Sequence, residues 1–233
     1  MKVLLSIPCL YGAAHTKEAI LSVINSGVDL LLIDNGADAD VKSVLNWYDV
    51  NYANVSVIRN PTNIYVNPAW NQALSYFLEH REYTHLILMN SDLILDKDWL
   101  MNIRSWLANN PNDICLPTIT EGRSGCNDEQ KGTVVNEGTP GVFIMINREH
   151  VKIVNPIPKE IVLWFGDNFI FSVLRELGYN TVILNNLCAY HYWSANVSKL
   201  PEASVLIEKD KVAWAEVVEP MMQRKIQYFK NNK

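Results

Sequence analysis

The stretch Leu86-Ile87-Leu88-Met89-Asn90-Ser91-Asp92 passes directly from an unbroken apolar run to three polar residues. The run has the length of a strand, and its lack of polar alternation places both faces in the interior. Asn-Ser-Asp is strong turn chemistry. The stretch therefore reads as a buried parallel strand with a polar turn at its carboxyl end. Three earlier runs have the same character: Val3 to Ile7, Leu30 to Ile33 and Val55 to Ile58. Helical stretches separate them. The first runs from about Thr16 to Asn25, with Thr16 as N-cap and Gly27 as stop. A second follows Asp40, with Val41, Val44, Leu45 and Tyr48 at helical spacing. A third starts at Asn67-Pro68, Asn capping and Pro in the first helical position, with Trp70, Ala73, Leu74 and Phe77 on one face. A fourth extends from Asp98 to about Asn109.

This order predicts an α/β fold with a Rossmann-like, mostly parallel central sheet, right-handed crossovers and helices on both faces. Ligands bind such sheets at the carboxyl ends of the strands. Those ends are Pro8-Cys9, Asp34-Asn35, Arg59-Asn60 and Asn90-Ser91-Asp92. Three of the four are polar and converge in one crevice on this reading. A carboxylate such as Asp92 on a strand-end turn can hold Mg²⁺ or Mn²⁺, with diphosphate oxygens in the metal's other positions. The turn alone explains the same residues equally well.

Past residue 115 the pattern loosens. Pro117 to Pro140, rich in Gly, Thr, Asn and charge, reads as a lid or binding loop carrying Arg123 and Lys131. Val142 to Ile146 and Thr181 to Leu184 read as strands. Asp167 to Leu177 reads as a helix that stops at Gly178. Glu202 to Phe229 is mostly helical, with a break near Pro220.

The formal net charge of −5 argues against nucleic acid as a partner, because neutralising phosphates requires clustered Lys and Arg. No stretch reaches the roughly 18 consecutive apolar residues of a membrane span. Met1 to Pro8 reads as a first strand rather than a signal peptide. Cys9, Cys115, Cys126 and Cys188 show no C-x-x-C spacing, so neither a zinc site nor a disulfide framework is expected. A reducing, cytoplasmic location fits. The sequons at Asn54 and Asn196 are too common by chance to count against it. His15, His80, His85 and His150 are expected to be surface or structural residues.

Three segments carry a resemblance. Leu30-Leu31-Leu32-Ile33-Asp34-Asn35-Gly36-Ala37-Asp38, then Asn63-Ile64-Tyr65-Val66-Asn67-Pro68-Ala69-Trp70-Asn71, then His85 to Asp92 resemble, in order and spacing, the motifs of glycosyltransferase family 2 and its GT-A relatives. The second matches N-x-G-x-x-x-A-R-N at Asn63, Ala69 and Asn71, with Tyr65 and Trp70 in place of Gly and Arg. The third has Asn90 at the first Asp of Asp-x-Asp. The resemblance implies a single GT-A domain over 1–233, with a smaller mixed sheet on the acceptor side. Residues 1–115 would bind the nucleotide sugar, 116–200 would form the acceptor and catalytic half, and 201–233 a helical extension. It implies a nucleotide-sugar donor, UDP-sugar by default with GDP- and dTDP-sugars open, and a hydroxyl acceptor on a glycan or other molecule. The implied cofactor is Mn²⁺ or Mg²⁺. Donor contacts fall on Pro8, Asp34, Asn63, Asn71, Asn90, Ser91 and Asp92, with Asp92 the direct metal ligand.

Further on, Trp164-Phe165-Gly166-Asp167-Asn168 with Gly178-Tyr179 resembles the family's Glu-Asp motif and downstream Gly-Tyr, with Gly166 in place of Glu and Val173 at the later Arg. This implies Asp167 as the general base of an inverting enzyme, with retaining chemistry left open. A first-turn helix acid is the other reading of the same residue. His191 stands where many GT-A enzymes carry a further metal ligand; a His packed among aromatic rings is the alternative. Trp164 and Trp193 flank these residues and are expected on the acceptor side. The departures at Asn90, Gly166 and Trp70 keep open a degenerate GT-A domain that binds a glycan or partner without turnover. A sugar nucleotidyltransferase would want a Gly-rich, basic first loop, and Pro8 to His15 has one Gly and no Lys or Arg.

Overall fold

The structure, a computed structural model, describes residues 1–120, 129–136, 140–192 and 197–232. Strands β1 (Val3–Cys9), β2 (Asp29–Asn35), β3 (Val55–Asn60) and β4 (His85–Met89) pair in parallel in the order β3-β2-β1-β4. Helices α1 (Ala13–Val23), α2 (Ala39–Asn51) and α3 (Val66–Glu79) make the crossovers. These are the four strands and three helices that the apolar runs predict.

The starts of all three helices differ from expectation. Helix α1 begins at Ala13, three residues before Thr16, because Gly12 at φ 79 turns the chain out of β1. Glycine takes that conformation without a Cβ penalty. Thr16 is instead buried on the inner face of the helix. Helix α3 begins one residue before Asn67, whose side chain is used elsewhere. Helix α2 is capped by Asp38, which accepts a 2.8 Å hydrogen bond from the Val41 amide.

The same sheet continues through β5 (Leu93–Leu95), β6 (Ile114–Thr120), β7 (Gly132–Val134), β8 (Phe143–Asn147) and β9 (Thr181–His191). Among the described residues it has nine strands in the order β3-β2-β1-β4-β8-β6-β9-β5, with β7 paired to β9. Strand β8 enters antiparallel to β4, and the pairing is mixed beyond it. The parallel and mixed parts are therefore one continuous surface. Part of the expected loop at Pro117 to Pro140 is strand, namely β6 to Thr120 and all of β7. The polar ends of β6 are held by side chains: Thr118 and Thr120 donate to the carbonyls of Leu184 and Ala189 across β9. Strand β9 runs seven residues past Leu184, through a register shift opposite Pro117/Thr118. Arg123 lies outside the described residues.

The remaining helices are α4 (Trp99–Leu107), α5 (Arg148–Val154), α6 (Gly166–Glu176), α7 (Ala203–Ala213) and α8 (Glu219–Asn231). A π-helical turn, Trp214–Val218, joins α7 to α8. The break expected near Pro220 is this change of pitch: proline has no N–H to continue the ladder and is tolerated in a first turn.

Alternation along the strands divides the interior into two cores. Leu5, Ile7, Leu30, Leu32, Ile87 and Met89 pack on one face with α1, α2 and α4. Leu4, Leu31, Ile33, Leu86, Leu88 and Ile144 pack on the other with α3, α5, α6 and α8. The Arg148 guanidinium closes the C-terminal end of α3, donating to the carbonyls of Phe77, His80 and Tyr83 at 2.7–3.0 Å. His150 is buried in a capping box with Asn147, and burial lowers its pKa to about 4, with neighbouring His85 adding to the effect.

One expectation is corrected here. Cys9 and Cys115 are free and buried, but Cys188 is disulfide-bonded. Spacing along the chain carries no record of pairings that folding creates. Among the described residues no helix is long and apolar enough to cross a membrane.

Candidate active site

The carboxyl ends of β1 and β4 and the first turns of α3 and α6 surround a cavity of about 460 Å³. The turn after β4 is held by the Asn90 amide, which donates to the Val142 carbonyl at 2.9 Å. The chain then enters β5, whose Leu93 is registered against His191 of β9. That register brings two residues 99 positions apart into contact. His191 Nε2 lies 3.1 Å from Asp92 Oδ1, with only 6% and 4% of the two residues exposed. The Tyr192 amide donates to the Asp92 carbonyl at 2.9 Å and fixes the same junction.

Asp167 stands in the first turn of α6, while Phe165, at φ 64, occupies the cap position. Its Oδ2 accepts from the Gly141 amide at 3.0 Å and its Oδ1 from the Asn168 amide at 2.9 Å. The side chain is part-buried in the cavity wall. Burial raises its pKa above the usual carboxylate value, against the lowering effect of the hydrogen bonds from Asn168 and Gly141. Gly141 is required by contact: a Cβ there would lie 2.2 Å from the Asp167 Cβ.

Gly166 has a similar origin. A Cβ at this position would lie 2.1 Å from Asn67 Oδ1. Asn67 is 1% exposed, and its Nδ2 donates to the carbonyls of Ile161 at 3.2 Å and Trp164 at 2.9 Å. The position where the family motif carries Glu is thus occupied, in space, by an amide from α3.

Tyr65 stands where the resemblance has Gly, and its backbone keeps the conformation of glycine, φ 66 and ψ 177. A side chain there carries strain of about 1–3 kcal/mol. Its hydroxyl donates to Glu202 Oε1 at 3.2 Å. Tyr65→Ala retains the strain and loses this bond, whereas Tyr65→Gly loses the bond and relieves the strain. The Gly variant is therefore expected to be more stable than the Ala variant by roughly 1 kcal/mol in urea unfolding. Equal stabilities would remove the strain argument.

Of the residues expected from sequence, Pro8, Asn63, Asn90, Ser91, Asp92, Trp164, Asp167 and His191 all line this cavity. Two do not. Asp34 accepts from the Ala37 amide at 2.8 Å and lines a separate concavity of about 360 Å³ with Lys42, Asn46, Arg59 and Asn60. Asn71 is occupied by the backbone of Ile157, accepting from its amide at 2.7 Å and donating to its carbonyl at 2.9 Å. Trp193 lies outside the described residues.

Asn67, Trp70 and Leu200 line the cavity without having been expected there, and Asn35, expected only as part of a polar strand end, lines it as well. Asn35 supports the Asn63–Tyr65 turn, donating to Asn63 Oδ1 at 3.0 Å and the Tyr65 carbonyl at 3.2 Å and accepting from the Ile64 amide. Strand alternation was the available signal, since adjacent Asp34 and Asn35 must point to opposite sides. Nothing local marks Leu200.

The described lining contains Asp92, Asp167 and His191 but no Lys or Arg. An anionic diphosphate beside two carboxylates would need a bound cation. Asp92 and His191 offer one oxygen and one nitrogen ligand. Among the described residues no group of three or more His, Cys, Asp or Glu side chains forms a complete cage. A site completed by substrate phosphates and water is the usual arrangement for Mg²⁺. The residues present fit that kind of site.

A family model, glycosyl transferase family 2, matches residues 6–168, from β1 through Asp167. The chain belongs to glycosyl transferase family 2. No curated protein sequence matches it. Its fold is the GT-A fold, as the solved structures show. The S. aureus TarS 1–349 complex with UDP superposes with a TM-score of 0.64 at 15% identity, covering 99% of this chain and 71% of that one. A structure of GalNAc-T7 with UDP, GalNAc and Mn²⁺ gives 0.63 at 14% identity, covering 92% of this chain. This glycosyltransferase spans only 49% of GalNAc-T7.

Proposed function

We propose that this family 2 glycosyltransferase moves a sugar from a nucleotide-sugar donor, a UDP-sugar in preference, to an acceptor hydroxyl with inversion at the anomeric carbon. The observation that carries the reading is the convergence of the Asp92–His191 pair and Asp167 on one cavity. Asp92 and His191 would hold Mn²⁺ or Mg²⁺, and an imidazole ligand favours Mn²⁺. Such a cation supplies Lewis-acid stabilisation of the departing diphosphate.

Asp167 takes the proton of the acceptor hydroxyl as it attacks from the side opposite the diphosphate. The amides of Gly141 and Asn168 hold one lone pair of each carboxylate oxygen and so orient the base. The raised pKa makes Asp167 a stronger base than an exposed carboxylate. Trp164, 46% exposed at the cavity wall, offers an aromatic face to an acceptor sugar. Pro8, Asn63, Asn90 and Ser91 form the donor side. On this reading residues 1–115 bind the donor, 116–200 the acceptor, and 201–233 extend the domain. UDP in the TarS and GalNAc-T7 structures, and Mn²⁺ in the latter, support the preferred donor and cofactor.

The test is a thermal-shift screen of UDP-, GDP- and dTDP-sugars with and without Mn²⁺, followed by transfer assays. A UDP-sugar with Mn²⁺ is expected to raise Tm, because it binds only the folded chain. Asp92→Asn is expected to abolish the Mn²⁺-dependent part of that shift and to lower transfer by about 10²-fold or more. Full activity of Asp92→Asn without added metal would sink the assignment. Binding without turnover would favour the non-catalytic reading.

A further inference from the structure

Asp210 lies on α7, beyond the segment matched by the family model, and only 1% of it is exposed. Its carboxylate receives three consecutive backbone amides: Val162 at 3.1 Å, Leu163 at 2.7 Å and Trp164 at 2.7 Å. Among the described residues no cation pairs with it. A buried carboxylate is unfavourable unless hydrogen bonds satisfy it, and an apolar side chain would serve packing as well. Three converging N–H groups, however, require an acceptor-only partner. A carboxylate meets that need, whereas an amide would turn its own NH₂ toward the donors.

The same loop is held from its other side. Asn67 donates to the carbonyls of Ile161 and Trp164, and its amide donates to the carbonyl of Val162 at 3.0 Å. Residues 161–164 thus lie between α3, which takes the carbonyls, and α7, which takes the amides. The loop carries Trp164 into the cavity wall and passes through Phe165, at φ 64, into the helix that bears Asp167. A second tie from the same C-terminal segment runs from Glu202 to the strained Tyr65.

We propose that Asp210 is a positioning residue of the transfer site. It fixes the 161–165 loop so that Trp164 and Asp167 keep their places opposite the Asp92–His191 pair, which makes α7 part of the acceptor half. This rests on the transfer reading above. Asp210 holds the loop that leads to Trp164 and Asp167, whereas Pro8, Asn63 and Asn90 stand on β1, on the β3–α3 connection and on the turn after β4, so the effect is expected on the acceptor side.

The test compares Asp210→Asn and Asp210→Glu with the wild-type chain by hydrogen exchange, UDP calorimetry with Mn²⁺, and transfer kinetics. In Asp210→Asn, exchange at the amides of 162–164 is expected to rise by roughly tenfold or more. Acceptor KM should rise and kcat fall, each by about tenfold, while UDP affinity stays within about twofold. Asp210→Glu, with the same acceptor group on a longer stem, should recover part of the protection and part of kcat. If the Asn variant does not fold, the Glu variant carries the same comparison. Unchanged exchange at 162–164 overturns the proposal. So does faster exchange with acceptor KM and kcat unaltered, or an equal loss of UDP affinity, either of which marks a purely structural contact. Absence of transfer by the wild-type chain with every nucleotide sugar overturns the transfer reading instead, and exchange then decides whether Asp210 holds the loop.

Discussion

Asp167→Asn is expected to lower kcat by about 10²- to 10⁴-fold, the range that a positioned proton acceptor contributes. UDP binding should survive, because Asp167 lies on the α6 side of the cavity and Asp92 on the β4–β5 side. Both hydrogen-bonded amides, Gly141 and Asn168, can still meet the Asn side chain in part, so the fold should persist. The pH dependence follows from the direction of the shift. Burial raises the pKa of Asp167, so the acidic limb of kcat/KM should lie above the range of an ordinary carboxylate. A raised folded-state pKa also means that the stability contributed by this group is present below the unfolded carboxylate pKa. It is lost as pH rises through the folded value. Asp167→Asn removes that loss, and the variant should therefore lose less stability between acid and neutral pH than the wild-type chain. A variant with unchanged kcat would remove Asp167 from the mechanism.

Gly166→Ala is the second large effect. The added Cβ would lie 2.1 Å from Asn67 Oδ1, at a position in the first turn of α6 with no positive φ to complicate the reading. Overpacking of this kind costs about 1–3 kcal/mol. If Asn67 yields instead, the carbonyls of Ile161 and Trp164 lose a buried donor, a penalty of similar size, about 1–3 kcal/mol. Either route moves the loop that bears Trp164, so acceptor KM should rise along with the fall in stability. Urea unfolding of Gly166→Ala, Asn67→Ala and the double variant separates the contributions. The double variant should be less destabilised than the sum of the single ones, because the clash is absent once Asn67 is shortened. Strict additivity would show that the two residues do not meet. The result also bears on why the motif Glu is absent: Asn67 occupies the space that any side chain at 166 would need.

Much of the first half was legible before the structure. Unalternated runs such as Leu86 to Met89 state their own burial, and turn residues such as Asn90-Ser91-Asp92 mark where a strand ends. Legibility failed where partners come from afar. Strand β6 was obscured because Thr118 and Thr120 hydrogen-bond across β9, so their polarity does not signal a loop. The start of α1 was misplaced because Gly12, a backbone feature, outcompeted the side-chain cap at Thr16. Asn71 looked like a donor contact from its place in a motif, yet its amide bonds to the backbone of Ile157, 86 residues away.

By itself, the amino-acid sequence determined the βα alternation and the polar strand ends, because these depend on periodicity and on neighbours along the chain, and the resemblance of its motifs supplied the candidates Asp92 and Asp167. Tertiary structure alone decided which of them meet. The β5–β9 register places His191 on Asp92. The close approach of Asn67 makes Gly166 obligatory. The carboxylate of Asp210 reaches back 46 to 48 residues to hold the loop beside the base. Contacts of this kind depend on strand register and on interhelical distance, and neither is written in any local stretch of the chain.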